Sequence, residues 1–232
     1  MFGSKVTVDA ASHADAEYPR ESCGLVVGGC CYQPCVNAAE KPENDFVISA
    51  QDYAAAMAMG GVQAVIHSHP DGLDHPTYKD MEIQMASALP WCILPRGKQP
   101  FWFGDQCPIP RLRGRVFRHG VTDCYSVIRD WFRLVRKTTL INLPRDDRWW
   151  HNGQDIYMEN FRRAGFERIE MAEAERGDVL LGRIGPRVTV NNHAALYLGN
   201  GQILHHLQGR LSVREPVTRW RRCFVVCLRY TA

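Results

Sequence analysis

His67-Ser68-His69-Pro70, followed by Thr77 and Asp80, sets two imidazoles and a carboxylate at a spacing that suits one divalent cation. A catalytic zinc takes three protein ligands of the His, Asp, Glu or Cys kind and keeps a fourth position for water, and His67, His69 and Asp80 would supply that set. Such a centre also needs a base. Glu21 is the candidate, because it stands just before the apolar run Cys23-Gly24-Leu25-Val26-Val27, which can form a core strand beside the histidines. A metal lowers the pKa of its bound water to roughly 7, so a neighbouring carboxylate can take the proton at neutral pH without extreme tuning.

A second set of reactive residues lies in the other half. Thr122-Asp123-Cys124 precedes apolar positions Val127, Ile128, Trp131, Phe132 and Val135, whose spacing predicts an amphipathic helix. Asp123 or Thr122 can cap that helix. Cys124 then falls in the first turn, where unpaired N–H groups and the helix dipole favour thiolate over thiol. The base for a cysteine nucleophile is His193, which opens the strand-like segment His193-Ala194-Ala195-Leu196-Tyr197-Leu198. Gly199-Asn200-Gly201 reads as a turn and Gln202-Ile203-Leu204-His205 as the returning strand, so His193 and His205 can meet across a hairpin. His205 would orient the His193 ring. His206 is the alternative, since a slip of one residue exchanges the two.

The metal-ligating residues need a strand and a helix. Val62-Gln63-Ala64-Val65-Ile66 reads as a buried strand, and the period-two alternation of side chains sends His67 and His69 to one side of its end. After the turn-rich Asp71-Gly72-Leu73-Asp74, Pro76 suits a first helical position and Tyr78 to Leu89 can continue the helix. Thr77 and Asp80 would share one face of it.

Taken together, Glu21, His67-Ser68-His69-Pro70, Thr77 and Asp80 resemble the JAMM (Mov34/MPN-type) zinc peptidases over about the first hundred residues. The resemblance implies His67, His69 and Asp80 as zinc ligands and Glu21 as general base. It puts Thr77 in the place of a serine whose hydroxyl steadies the oxyanion. Cys124 at a capped helix start, Gly177-Asp178-Val179-Leu180-Leu181 and the pair His193 and His205 resemble the NlpC/P60 cysteine peptidases. That resemblance implies Cys124 as nucleophile, His193 as general base and His205 as its orienting partner. The tyrosine often found upstream of the cysteine in this family has no counterpart here, and Leu112 lies in that region.

The chain as a whole permits both. Its 232 residues fit two domains: a JAMM-like metallopeptidase domain at 1–104, a Pro- and Arg-rich linker at 105–117, and an NlpC/P60-like domain at 118–232. The expected fold class is α/β plus α+β: a mixed sheet flanked by helices, then a papain-like domain with a helix packed on an antiparallel sheet. Hydrophobic residues make up 45% and charged residues 23%, enough for a core in each half, and no apolar run approaches the ~20 residues a membrane span requires. The start Met1-Phe2-Gly3-Ser4-Lys5-Val6 lacks the plan of a signal peptide, which makes the cytoplasm the default location. Nine cysteines without a regular framework read as free thiols, with Cys223 and Cys227 as small strand residues. A net charge of +3 does not imply nucleic acid, and Arg111, Arg113, Arg115 and Arg118, with Arg219, Arg221 and Arg222 later, read as a solvated face or as a patch attracted to an anionic surface.

The order of the two halves resembles the tail-tip assembly proteins of long-tailed bacteriophages. It implies a bifunctional peptidase with Zn2+ as cofactor, made in the host cytoplasm, with other tail-tip proteins and peptidoglycan stem peptides as partners and the virion tail tip as destination. A catalytically silent assembly factor is the alternative.

Overall fold

The apolar run from Val62 forms a strand, and the strand continues through both histidines to His69. In the computed structural model, which describes residues 1–232, this strand is the centre of a five-stranded sheet. The sheet comprises β1 (Cys23–Val27), β2 (Cys31–Cys35), β3 (Val62–His69), β4 (Trp91–Pro95) and β5 (Phe101–Phe103), in the spatial order β2-β1-β3-β4-β5. Only β3 and β4 run parallel; the other neighbours are antiparallel, so the sheet is mixed. A parallel pair requires a crossover. Here the crossover carries the helix Tyr78–Ser87 back past the end of β3.

The sheet lies within a unit spanning Met1–Pro108. Helix α1 (Ser4–Glu17) buries Val6 and Ala10 against Val26, Ala64, Ile66, Cys92 and Leu94 on one face of the sheet. Because side chains alternate, His67 and His69 point to the opposite face. Gly24 in β1 is required by packing: a Cβ there would lie 2.4 Å from the Tyr32 ring. The second helix, α2 (Ala50–Ala58), is capped by Ser49, whose side chain accepts from the Asp52 N–H. In α3 (Tyr78–Ser87) the N-cap is Thr77, not a first-turn proline. Thr77 and Asp80 form a reciprocal capping box that satisfies two otherwise unpaired donors, which displaces Pro76 to a position before the helix.

The second unit, Ile109–Ala232, holds a six-stranded sheet in which every pair is antiparallel. Its strands are β6 (Phe166–Ile169), β7 (Val179–Gly182), β8 (His193–Gly199), β9 (Gln202–His205), β10 (Val213–Pro216) and β11 (Phe224–Tyr230), in the order β10-β9-β8-β7-β11-β6. Helix α4 (Cys124–Trp131) packs on β8 and joins Val127, Ile128, Trp131 and Phe132 to a core with Val179, Leu181, Ala194, Leu196 and Leu228. The apolar stripe predicted as far as Val135 stops sooner. From Phe132 to Arg136 the chain winds as a π-helix, whose i to i+5 bonding rotates the face and leaves Val135 exposed. A short helix, α5 (Ile156–Asn160), adds Ile156 and Tyr157 to the core.

Before α4, Gly114 donates to the Ser212 carbonyl at 2.8 Å and Val116 bridges Leu211. Arg115 is therefore no part of a solvated face: it is buried, with Nη1 2.5 Å from Asp130. No helix is long and apolar enough to cross a membrane.

Candidate active sites

In the first unit, His67 and His69 leave β3 on one face while Ser68 turns to the other, where its hydroxyl accepts from the Ser22 N–H at 2.8 Å. That bond and the return bond from Ser68 N to the Ser22 carbonyl extend the β1–β3 pairing, in which Cys23 stands opposite His67. Continuing the register by two residues sets Glu21 across from His69. Asp80 arrives from α3. Its Oδ1 lies 3.4 Å from His67 Nε2, its Oδ2 lies 3.4 Å from His69 Nε2, and the two imidazole nitrogens are 3.1 Å apart.

These separations resemble the edges of one coordination polyhedron. With metal–ligand bonds of ~2.0–2.2 Å, a tetrahedral zinc would set its ligand atoms about 3.3–3.6 Å apart. The donor chemistry agrees: His69 Nδ1 lies 2.9 Å from the Leu73 carbonyl, which places the ring hydrogen on Nδ1 and leaves a lone pair on Nε2. All three residues are buried. The Phe46 ring stacks on His67 at 4.5 Å, so this histidine sits against an apolar wall. The residues fit a divalent cation.

Burial opposes ionisation of Asp80, but the two histidines hold its carboxyl far below the usual range. Burial raises Glu21 to about 8, with His69 pulling the other way. Thr77 uses its hydroxyl to hold Asp80: Oγ1 donates to Oδ2 at 2.8 Å, beside the Thr77 N–H at 2.8 Å. That hydrogen is directed at the Asp80 carboxylate. Asn37 had no visible motif. It is buried, and its side-chain amide donates to the carbonyls of Glu21 (2.9 Å) and Asp45 (2.8 Å) while accepting from Ala39 and Val47, so it fixes the backbone that carries Glu21.

In the second unit, Asp123 caps α4. It accepts from Ser126 N at 3.0 Å and Gly120 N at 2.8 Å, and it pairs with Arg145, itself buried. Cys124 follows at the helix start. Cys124 and His193 line one cavity of about 370 Å³ with Arg145, Trp149, Tyr157 and His206. The hairpin resolves the choice between neighbouring histidines. His193 Nε2 lies 3.0 Å from His205 Nδ1, whereas His206 points elsewhere and pairs with the Arg210 carbonyl at 3.0 Å.

The surroundings of Cys124 oppose the thiolate that the helix start favours. Burial and the adjacent Asp123 charge raise its pKa, and the Tyr157 hydrogen bond, the Ala194 backbone and Arg145 only partly offset them. Burial, with His205 and His206 nearby, lowers His193 to about 3, so burial favours the neutral form of the ring as it does of the thiol. Sequence reasoning also missed Tyr157. Its hydroxyl lies 3.4 Å from Cys124 Sγ, which supplies from α5 a tyrosine that has no counterpart upstream of the cysteine.

Comparison with known proteins agrees with this division. Residues 4–103 match the prokaryotic homologs of the JAB domain, and residues 100–229 match the NlpC/P60 family. Tail tip assembly protein K of Escherichia phage lambda is 40% identical over 179 residues, covering 75% of this chain and 85% of that protein. Tail tip assembly protein K of Escherichia phage N15 is 34% identical over 227 residues, covering 90% and 88%. Among solved structures, the NlpC/p60 domain of peptidoglycan hydrolase SagA aligns with a TM-score of 0.37 and 17% identity, over 51% of this chain and 90% of that one. The chain belongs to the NlpC/P60 family and, with a JAB-type half preceding that domain, to the family of tail tip assembly protein K.

Proposed function

We propose that this protein is a two-site peptidase of a phage tail tip, with an amide-cleaving zinc site in residues 1–108 and a cysteine peptidase for peptidoglycan stem peptides in residues 109–232. The observation that carries the reading is the cavity shared by Cys124 and His193, with His205 bonded behind the histidine. His193 takes the thiol proton as Sγ attacks the scissile carbonyl carbon. The carbon–nitrogen bond then breaks, the amine leaves with the proton from His193, and water resolves the thioester. The neutral forms that burial favours suit this order, because proton transfer is coupled to attack. Tyr157 lies beside the sulfur, and Trp149 and Trp220 wall the cavity.

In the first unit His67, His69 and Asp80 would hold the zinc. When bound, it supplies Lewis acidity to the substrate carbonyl and lowers the pKa of water. Glu21 takes a proton during attack and returns it to the leaving amine, and a cation held by His67, His69 and Asp80 would favour its ionised form against the burial that raises it. Thr77 keeps Asp80 aimed, and Asn37 keeps Glu21 in place.

The kinship with the K proteins supports synthesis in the host cytoplasm, partnership with other tail-tip proteins and a place at the virion tail tip. Glu21→Gln and Cys124→Ala should each abolish one cleavage and leave the fold intact. Zinc should be present at one per chain and be lost on His67→Ala. Persistence of both cleavages in the variants rejects the assignment, and a wild-type protein inert towards both substrates leaves the assembly role alone.

A further inference from the structure

Behind the two histidines stands a carboxylate that the cysteine chemistry above does not use. His205 Nε2 lies 2.7 Å from Glu215 Oε1. The same oxygen accepts from the Trp220 indole N–H at 3.0 Å, and Oε2 accepts from Arg219 at 3.1 Å. Glu215 reaches this point because β10 pairs with β9 and sets Glu215 opposite Ile203, on the same sheet face as His205.

We propose that Glu215 is a positioning residue of the cysteine site, fixing the tautomers of His205 and His193 so that His193 presents Nδ1 as the base. The inference rests on Cys124 and His193 being nucleophile and base. It follows from counting hydrogens. An indole N–H can only donate, so Oε1 is an acceptor, and the His205 nitrogen facing it must carry its hydrogen on Nε2. A neutral ring protonated there has its lone pair on Nδ1. That lone pair accepts from His193 Nε2–H, which leaves the His193 lone pair on Nδ1, the nitrogen free for the thiol proton. The opposite arrangement would protonate His193 at Nδ1 and leave it unable to accept. Both rings are buried, so bulk water does not make the choice.

The surrounding charges are consistent with neutral rings. Around His205, burial outweighs the Glu215 carboxylate and Arg210 adds to the lowering. Around His193 stand His205, His206 and Asp123. Burial of Glu215 itself is outweighed by its bonds from His205, Trp220 and Arg219, which keep it ionised.

The test is nitrogen NMR of histidine-labelled full-length protein at neutral pH, with His193 and His205 assigned by single substitution, alongside turnover of purified peptidoglycan. In the wild type both rings should be protonated at Nε2. Glu215→Ala should populate the other tautomer of both rings and lower kcat by about tenfold to a hundredfold with KM within about twofold, because the base is misprotonated and binding is untouched. Glu215→Gln should keep the Nε2–H tautomers and recover most of the rate, because Trp220 forces the amide oxygen, not the nitrogen, into the Oε1 place. A His205 ring protonated at Nδ1 in the wild type would overturn the proposal. So would Glu215→Ala with unchanged tautomers, or Glu215→Gln as slow as Glu215→Ala while its tautomers are intact. If the wild type neither cleaves peptidoglycan nor shows a reactive Cys124, the peptidase reading falls by itself, and the nitrogen spectra still decide the role of Glu215.

Discussion

Removing the Asp123 carboxylate should destabilise the second unit severely. The carboxylate has two tasks: it caps α4 through Ser126 N, and it neutralises Arg145, whose side chain is 2% exposed. Loss of a cap costs about 1 kcal/mol. Leaving a buried partner charge uncompensated costs roughly 3–5 kcal/mol. Asp123→Ala should therefore cost about 4 kcal/mol or more, a large part of the 5–15 kcal/mol that holds a typical domain together. With a urea m-value of about 2 kcal/mol/M, the midpoint of the transition reported by the second unit's tryptophans should fall by roughly 2 M. Arg145→Met should be costly for the same reason, because it strands the Asp123 carboxylate. The double variant should regain most of the pairing loss and retain the cap loss, giving a coupling of about 3 kcal/mol or more in a double-mutant cycle. Additive single variants, or an Asp123→Ala cost below about 1 kcal/mol, would refute the claim that this buried pair fixes the start of α4.

Further outcomes follow from the same geometry. His193 is lowered from an ordinary 6.5 to about 3, so the unfolded chain binds its proton first. The stability this group contributes is full above pH 6.5 and is lost as the pH falls towards 3, at up to about 1.4 kcal/mol per pH unit, and His193→Gln should flatten that slope in urea titrations. Tyr157→Phe removes the hydroxyl that favours the thiolate, so alkylation of Cys124 by iodoacetamide at neutral pH should slow by severalfold and its pH profile should move upward. Thr77→Val removes both the cap and the hydroxyl that aims Asp80, so zinc affinity measured against a competing chelator should fall by about tenfold to a hundredfold.

The sites were legible where local periodicity fixes them. The alternation of β3 sets His67 and His69 side by side, and the turn-and-helix segment brings Thr77 and Asp80 to the same place. The hairpin around Asn200 likewise joins His193 to His205. The residues that complete each site were not legible, because only tertiary contacts bring them in. Tyr157 reaches Cys124 from 33 positions downstream, Arg145 reaches Asp123 from a loop, and Asn37 reaches Glu21 through its side-chain amide. Glu215 depends on the β9–β10 register, which no turn signal in the sequence announces. The surroundings of the Cys124 thiol were not legible for a different reason. Local rules describe the helix start, but the burial of Cys124 belongs to the whole second unit, and it pushes the thiol up. Arg115 repeats the lesson, since a basic cluster in the sequence conceals one arginine paired inside with Asp130.

The central claim is that Cys124 is the nucleophile of a peptidoglycan peptidase, and fragment masses from purified peptidoglycan test it most directly. The wild-type protein should release fragments ending at a cleaved stem-peptide amide, and Cys124→Ala, folded as the wild type is, should release none of them. The same fragments from Cys124→Ala, at the wild-type rate, would contradict the account.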